Sequence, residues 1–255
     1  MFKIRASQLW QIMGKPKDSG GLTLRQSQDL DELLAKGSKS KRVQELIEKR
    51  DRPEGLSTTA KTYCKQWLKE KLFGRRIYFS NKYTKKGIEV EDQSIGILNS
   101  LLWESYDKNE EYKETEYITG TADIVAPNMI RDIKSSWCLD TFPYFEDVLD
   151  QKYYYQMQAY MILWDKQRAS VDYVLANTPW NLIEKEAYYK ARDEAKDFGD
   201  VIEEIKHRHI FDDLPDSMRV KSFAVDRDYN LNVRIEEKVK ACREYIKELR
   251  EGLKL

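Results

Sequence analysis

The sequence predicts an α/β protein with an amino-terminal helical elaboration, and three observations lead there. Helical spacing of apolar residues dominates the chain up to about residue 103. The texture then changes at Tyr112, and β-branched residues gather on both sides of a Pro127-Asn128 turn. After that, helix and strand patterns alternate to the end. At 255 residues, with 41% of them hydrophobic, the chain is long and apolar enough to bury a substantial core. It contains no run of 18 apolar residues, so a membrane span is not expected. Its opening residues lack the apolar stretch of a secretory signal. Cys64, Cys138 and Cys242 lie far apart and include no C-x-x-C pair. They are expected to be reduced thiols in a cytosolic protein, with no disulfide framework, no iron–sulfur cluster and no zinc.

In chain order, residues 14–21 are rich in Gly, Ser, Lys and Pro and predict a loop. Residues 23–36 and 39–51 predict two polar helices, parted by Gly37 and stopped near Pro53. Ser57 is a natural N-cap for a third helix. Ala60, Tyr63, Cys64, Trp67, Leu68 and Leu72 fall on its apolar face, and Gly74 ends it. A fourth is expected to start near Gly87 and run through Glu91, Ile95, Leu98, Leu102 and Trp103. Residues 116–126 and 129–137 predict the two strands of a β-hairpin. There follow a helix over 148–165, a buried strand over 171–177, a charged helix over 184–206, a strand over 219–226 and a helix over 231–251. No linker is evident, so 1–255 is expected to be one domain. It comprises a basic, mainly helical portion at 1–84, a core at 85–180 and a carboxy-terminal portion at 181–255.

The net charge of zero conceals a split. Residues 1–90 carry 21 Lys and Arg against 10 Asp and Glu, whereas residues 91–255 carry 23 against 34. This predicts one face suited to a polyanion and another rich in carboxylates; uneven but solvated charge is the alternative.

On the second hairpin strand Asp132 and Lys134 are two residues apart, so both project from one face while Ile133 points the other way. Asp123 lies on the neighbouring strand, where the turn can bring its carboxylate beside Asp132. Two carboxylates in contact need a cation, and hard oxygen ligands favour Mg²⁺ or Mn²⁺ over zinc. A lysine beside them can orient an attacking water or take its proton. Such a patch suits metal-assisted phosphodiester hydrolysis; a solvated polar hairpin face is the alternative. Upstream, Lys86-Gly87-Ile88-Glu89-Val90-Glu91-Asp92 opens a helix with an acidic first turn. Downstream, Gln156 and Tyr160 are four apart on one helical face.

The order of these residues resembles the PD-(D/E)XK nuclease superfamily, and within it the phage exonucleases of the YqaJ and lambda exonuclease type. There a helix glutamate precedes G-x-x-D, then a strand with D/E-x-K, then a helix with Q-x-x-x-Y. Here the matching residues are Glu91 (or Glu89), Gly120-Thr121-Ala122-Asp123, Asp132-Ile133-Lys134, and Gln156 with Tyr160. Ala122 stands where the superfamily's name has proline, and Asp132 where glutamate is common. Arg5-Ala6-Ser7 is similar to the family's R-x-S segment, in which arginine and serine hold the 5′-phosphate of the DNA end.

The resemblance implies a restriction-endonuclease-like core, a central mixed sheet flanked by helices. It implies a Mg²⁺- or Mn²⁺-dependent deoxyribonuclease that degrades linear duplex DNA from the 5′ end in phage recombination or DNA processing. Asp123, Asp132, Glu91 and the carbonyl of Ile133 would hold the metal, and Lys134 would act on the water. Gln156 and Tyr160 would steady the lysine or contact the strand, and the basic helices before residue 90 would grip the phosphate backbone. It further implies a ring-trimeric homo-oligomer, a single-strand annealing recombination protein as partner, and a location in the cytoplasm of a bacterial or phage-infected cell.

An endonuclease would use the same patch, and a non-catalytic DNA-binding module could keep the fold; the full Asp/Asp/Lys set argues against the latter. A CRISPR-adaptation nuclease with a cluster would need four cysteines, and this chain has three. The aromatics at 141–145 are expected mainly in the core, with stacking on end bases as the alternative. His207 and His209 form H-x-H without a third ligand nearby, and are expected at the surface. The apolar seam Ile235, Val239, Cys242, Ile246 and Leu249 is expected to pack on the protein's own sheet, with a subunit contact as the alternative.

Overall fold

A computed structural model describes residues 1–16, 22, 24–51, 55–77 and 80–253. Most of the expected loop at 14–21, and Pro53, lie outside the described residues. In chain order come β1 (Ile4–Arg5), α1 (Trp10–Met13), α2 (Leu24–Ala35), α3 (Lys41–Asp51), α4 (Thr58–Phe73), α5 (Lys82–Glu89) and α6 (Glu91–Leu102). Next are β2 (Lys113–Glu114), β3 (Ile118–Gly120), β4 (Ile124–Val125), β5 (Met129–Ser135), α7 (Gln151–Trp164) and β6 (Arg168–Val174). The chain ends with α8 (Trp180–Glu194), α9 (Phe198–His209), α10 (Asp216–Arg219), β7 (Val220–Asp226) and α11 (Asn230–Gly252). No helix among the described residues is long and apolar enough to cross a membrane.

The chain divides into two compact units. The first is Met1–Lys3, Gln8–Arg76 and Asn232–Leu255; the second is Ile4–Ser7 and Ile77–Leu231. The final helix thus joins the amino-terminal helices, a grouping that a linear division at 84 and 180 does not contain. In the first unit α2 and α3 pack through Leu30, Val43 and Leu46. Helix α4 is capped as its sequence predicts: the Ala60 N–H donates to Ser57 Oγ at 3.1 Å, and Gly74 closes the helix at a φ of +60°. The seam of α11 is buried here and not against a sheet. Arg234 donates to the Met13 carbonyl, Lys238 to Gly55 and Arg243 to Phe2.

The second unit holds two mixed sheets flanked by helices. One has the order β1-β3-β2, with β1 parallel to β3. The other has the order β4-β5-β6-β7, in which only the β5–β6 pair is parallel. Helix α7 makes the β5–β6 crossover and packs against β3, β5 and β6. Behind β5, Ile133 joins Ile95, Leu98, Ile124 and Val174 in a core cluster.

Several expectations are corrected. The strand at 116–126 breaks after Gly120, and its halves β3 and β4 enter different sheets. A Cβ on Gly120 would lie 2.9 Å from Tyr160 Cε1 and 3.1 Å from the Ala6 Cβ, so this is a close approach only glycine permits. The helix expected from Gly87 begins at Lys82 on a reciprocal Asn81–Thr84 capping box, then breaks at Val90 before α6. The helix expected over 184–206 starts at Trp180 and is two helices, parted at Ala195 (φ +52°), with Asp197 capping the second. The strand expected at 171–177 spans Arg168–Val174. His209 is fully buried, its Nδ1 2.9 Å from Thr178 Oγ1 and 3.1 Å from the Trp137 carbonyl, so its surface placement is overturned; His207 is exposed. Of the aromatics at 142–145, Phe142 is core, whereas Phe145 is 88% exposed.

Candidate functional site

The antiparallel register sets Ile124 opposite Arg131, which places the preceding residue, Asp123, at the open end of the β4–β5 ladder. Asp123 Oδ2 there accepts the Ile133 N–H at 2.7 Å. Asn109 steadies this loop by donating its backbone N–H to the Asp123 carbonyl and its side-chain amide to the Ala122 carbonyl. On β5, Asp132 and Lys134 share the face toward α7. Gln156 of α7 donates to Asp132 Oδ1 at 2.9 Å and to the Tyr160 hydroxyl at 3.1 Å. The glutamine and tyrosine therefore hold the carboxylate and not the lysine. Lys134 Nζ lies 2.5 Å from Asp132 Oδ2 and 4.9 Å from the centre of the Tyr153 ring.

Asp123, Ile133, Lys134 and Glu91 line one cleft of about 580 Å³, together with Tyr153 and Tyr173. Glu91 opens α6 and is paired with Lys108 at 2.8 Å. Glu89 is exposed at the end of α5 and does not line the cleft, which favours Glu91 of the two candidates. Arg5 lies in β1 opposite Thr119, and Ser7 in the turn after it; neither lines this cleft.

The electrostatics are those of crowded carboxylates. Burial and the neighbouring Asp132 charge push Asp123 up to about 7, against the pull of Lys134 and the Ile133 N–H. Burial also raises Asp132, with Lys134 opposing. Burial works against the Lys134 ammonium, but Asp132 and Asp123 outweigh it and its pKa is raised. Lys134 is therefore a cation at neutral pH.

Among the described residues no three His, Cys, Asp or Glu side chains are grouped as a ready metal site. The donor chemistry nevertheless fits a hard cation. Asp132 Oδ2 is buried without an aligned hydrogen-bond donor, although the Lys134 ammonium neighbours it. Asp123 is raised by burial and by the Asp132 charge, the crowding a bound cation would relieve, and Glu91 lines the same cleft.

Sequence spacing did not single out Tyr153 or Tyr173. The first is three residues before Gln156 on the same helical face, and the second is opposite Lys134 in the β5–β6 register. The end of β5 is also held in a way no motif announced. The Trp137 carbonyl accepts from Lys86 Nζ at 3.0 Å, from Thr178 Oγ1 at 3.2 Å and from His209 Nδ1. Burial brings the enclosed Lys86 ammonium down to about 7.

The chain is similar to the crystal structure of a phage-related exonuclease from Haemophilus somnus 129PT. The two share 30% identity over 99% of this chain and 96% of that one, with a TM-score of 0.72. It is also similar in fold to an alkaline exonuclease, LHK-Exo, from Laribacter hongkongensis. That protein, alone and in complex with dAMP, aligns at 16% and 17% identity over 99% of this chain and 91% of its own, with TM-scores of 0.56 and 0.55. No family model and no curated protein matches the sequence.

Proposed function

The chain belongs to the phage-type exonuclease family of the PD-(D/E)XK superfamily, and from that premise we propose that it is a divalent-metal-dependent exonuclease that degrades linear duplex DNA from the 5′ end. The meeting of Asp123 and Lys134 in one cleft, with Asp132 buried directly against Lys134, supports this reading most directly. Asp123 and Asp132, with Glu91 and the Ile133 carbonyl, would hold one or two ions of Mg²⁺ or Mn²⁺. When bound, such ions polarise the phosphoryl oxygens and acidify the attacking water.

The chain's own residues do the rest. The Ile133 N–H fixes the Asp123 carboxylate from one side. Gln156 fixes Asp132 from the other and is itself held by Tyr160. Lys134, kept as an ammonium, donates to the attacking water and aligns it with the phosphate. Arg5 and Ser7 would take the terminal 5′-phosphate, a guanidinium and a hydroxyl being suited to that group. Assembly as a ring trimer and pairing with a single-strand annealing protein in phage recombination complete the proposal.

The test uses Mg²⁺ with linear 5′-phosphorylated duplex beside covalently closed circles. Loss of the linear DNA alone is expected. Chelator should abolish it, and Lys134→Ala should slow it at least ~100-fold. Cutting of circles would make the protein an endonuclease. Binding without cutting in either metal would sink the catalytic reading.

A further inference from the structure

A second cavity, of about 570 Å³, opens on the other side of α5 from the catalytic cleft. Tyr83, Thr84, Gly87 and Ile88 of α5 face the cleft, while Lys82 and Lys85 line the second cavity. Trp137, which follows the catalytic strand, lines both. One helix therefore walls the two spaces apart, a separation of about 10 Å.

The second cavity is strongly basic. Lys82, Lys85, Lys185, Lys190 and Arg208 line it, against a single acid, Glu186. Three of the cations have partners: Lys82 with Glu186, Lys190 with Glu204 and Arg208 with Asp140. Lys85 and Lys185 are exposed and form no ion pair among the described residues, so the cavity holds two uncompensated charges. Trp137 and Leu182 give it an apolar floor, and Tyr189 is a half-exposed aromatic wall. Free ammonium groups beside aromatic faces match what a nucleic-acid strand presents, phosphate along one edge and bases along the other.

We propose that this cavity between α5, α8 and α9 is a second nucleic-acid site, which takes the phosphodiester backbone of the DNA one helix width away from the scissile phosphate, with Lys85 and Lys185 as its phosphate contacts. The inference rests on the nuclease reading for the identity of its ligand and adds a binding position to it. An acidic protein segment would satisfy the charge as well. Nucleic acid is favoured because the cavity shares Trp137 and α5 with the cleft where the strand is cut.

The experiment compares wild type with Lys85→Glu/Lys185→Glu and with the milder Lys85→Gln/Lys185→Gln. Affinity for a 5′-phosphorylated duplex is measured in chelator across a salt series, and cleavage of a 5′-phosphorylated dinucleotide, too short to reach past α5, is measured with Mg²⁺. The glutamate pair is expected to bind duplex at least ~10-fold more weakly, to reduce the slope of log affinity against log salt by about 1.5–2, and to leave dinucleotide cleavage unchanged. The glutamine pair should show a smaller loss in the same direction, and it decides the matter if the glutamates disturb folding. Unchanged duplex affinity and slope in both variants would overturn the proposal, even with an active wild type. Wild-type protein that binds duplex, loses slope in the variants, yet cuts nothing would keep the second site and remove the nuclease reading. A cavity that binds an acidic peptide but leaves DNA affinity untouched when mutated would also overturn it.

Discussion

A methyl group at position 120 has nowhere to go: it would meet the Tyr160 ring on one side and the Ala6 methyl on the other. Because Tyr160 also receives the Gln156 amide that holds Asp132, the strain would reach the Asp132 carboxylate. Gly120→Ala is accordingly expected to cost about 1–3 kcal/mol, a fall in Tm of roughly 3–10 °C read by thermal unfolding. An unchanged Tm would show that the close approach relaxes freely. Asp132 and Lys134 were legible as neighbours in the sequence because the two-residue period of a strand fixes which side chains share a face, and Asp123 because the Pro127-Asn128 turn folds its segment back beside them. The assignment of Gln156 to Asp132 was not, since a helical face says which residues align but not which neighbour they meet. Tyr153 and His209 were hidden for the same reason, their partners being far away in sequence.

Helices α5, α8 and α9 meet at Glu186, which faces Lys82 of α5 at 3.0 Å and His209 of α9 at 3.7 Å. The His209 and Lys82 contacts hold its carboxyl down at about 2. A carboxylate with a depressed folded pKa stabilises the protein above its unfolded value, and that contribution disappears as pH falls through the folded value. Glu186→Gln should therefore cost about 1–2 kcal/mol near neutral pH, solvent at this half-buried site screening part of the shift. The gap from wild type should close between pH 4.5 and about 2, as followed by denaturant unfolding across pH. A gap independent of pH would mean that the loss comes from packing. At this scale the sequence placed most of the longer elements, and its errors lie at their boundaries. The breaks at Val90 and Ala195 occur at residues that carry no turn signature, so periodicity runs through them. Gly87, by contrast, sits inside α5, where a boundary was expected.

Over the whole chain, the charge asymmetry read along the sequence persists in the structural division. The unit with the amino-terminal helices and α11 carries 24 Lys and Arg against 14 Asp and Glu; the unit with the Asp123–Lys134 cleft carries 20 against 30. The unit that lacks the cleft is thus the basic one. Lys65 and Lys69 stand exposed on α4, opposite its buried Ala60, Cys64 and Leu68. Lys65→Glu/Lys69→Glu is expected to weaken duplex binding at least ~5-fold at low salt, with the difference shrinking as salt rises. Equal affinities at low salt would remove this helix from the DNA-binding surface. The α/β class and the motif order were readable from local patterns. The return of α11 to the first unit was not, because its seam of Ile235, Val239 and Cys242 would serve equally well against a sheet or a helix.

The strand β5 is tied at two points toward its carboxy-terminal end. Asp123 grips the peptide N–H of Ile133, and three donors from distant parts of the fold converge on the carbonyl of Trp137. A segment pegged in this way resembles a taut string, with little freedom to slide or twist while the reaction proceeds. Any adjustment during a reaction cycle would then fall to the substrate and to the side chains around this fixed segment.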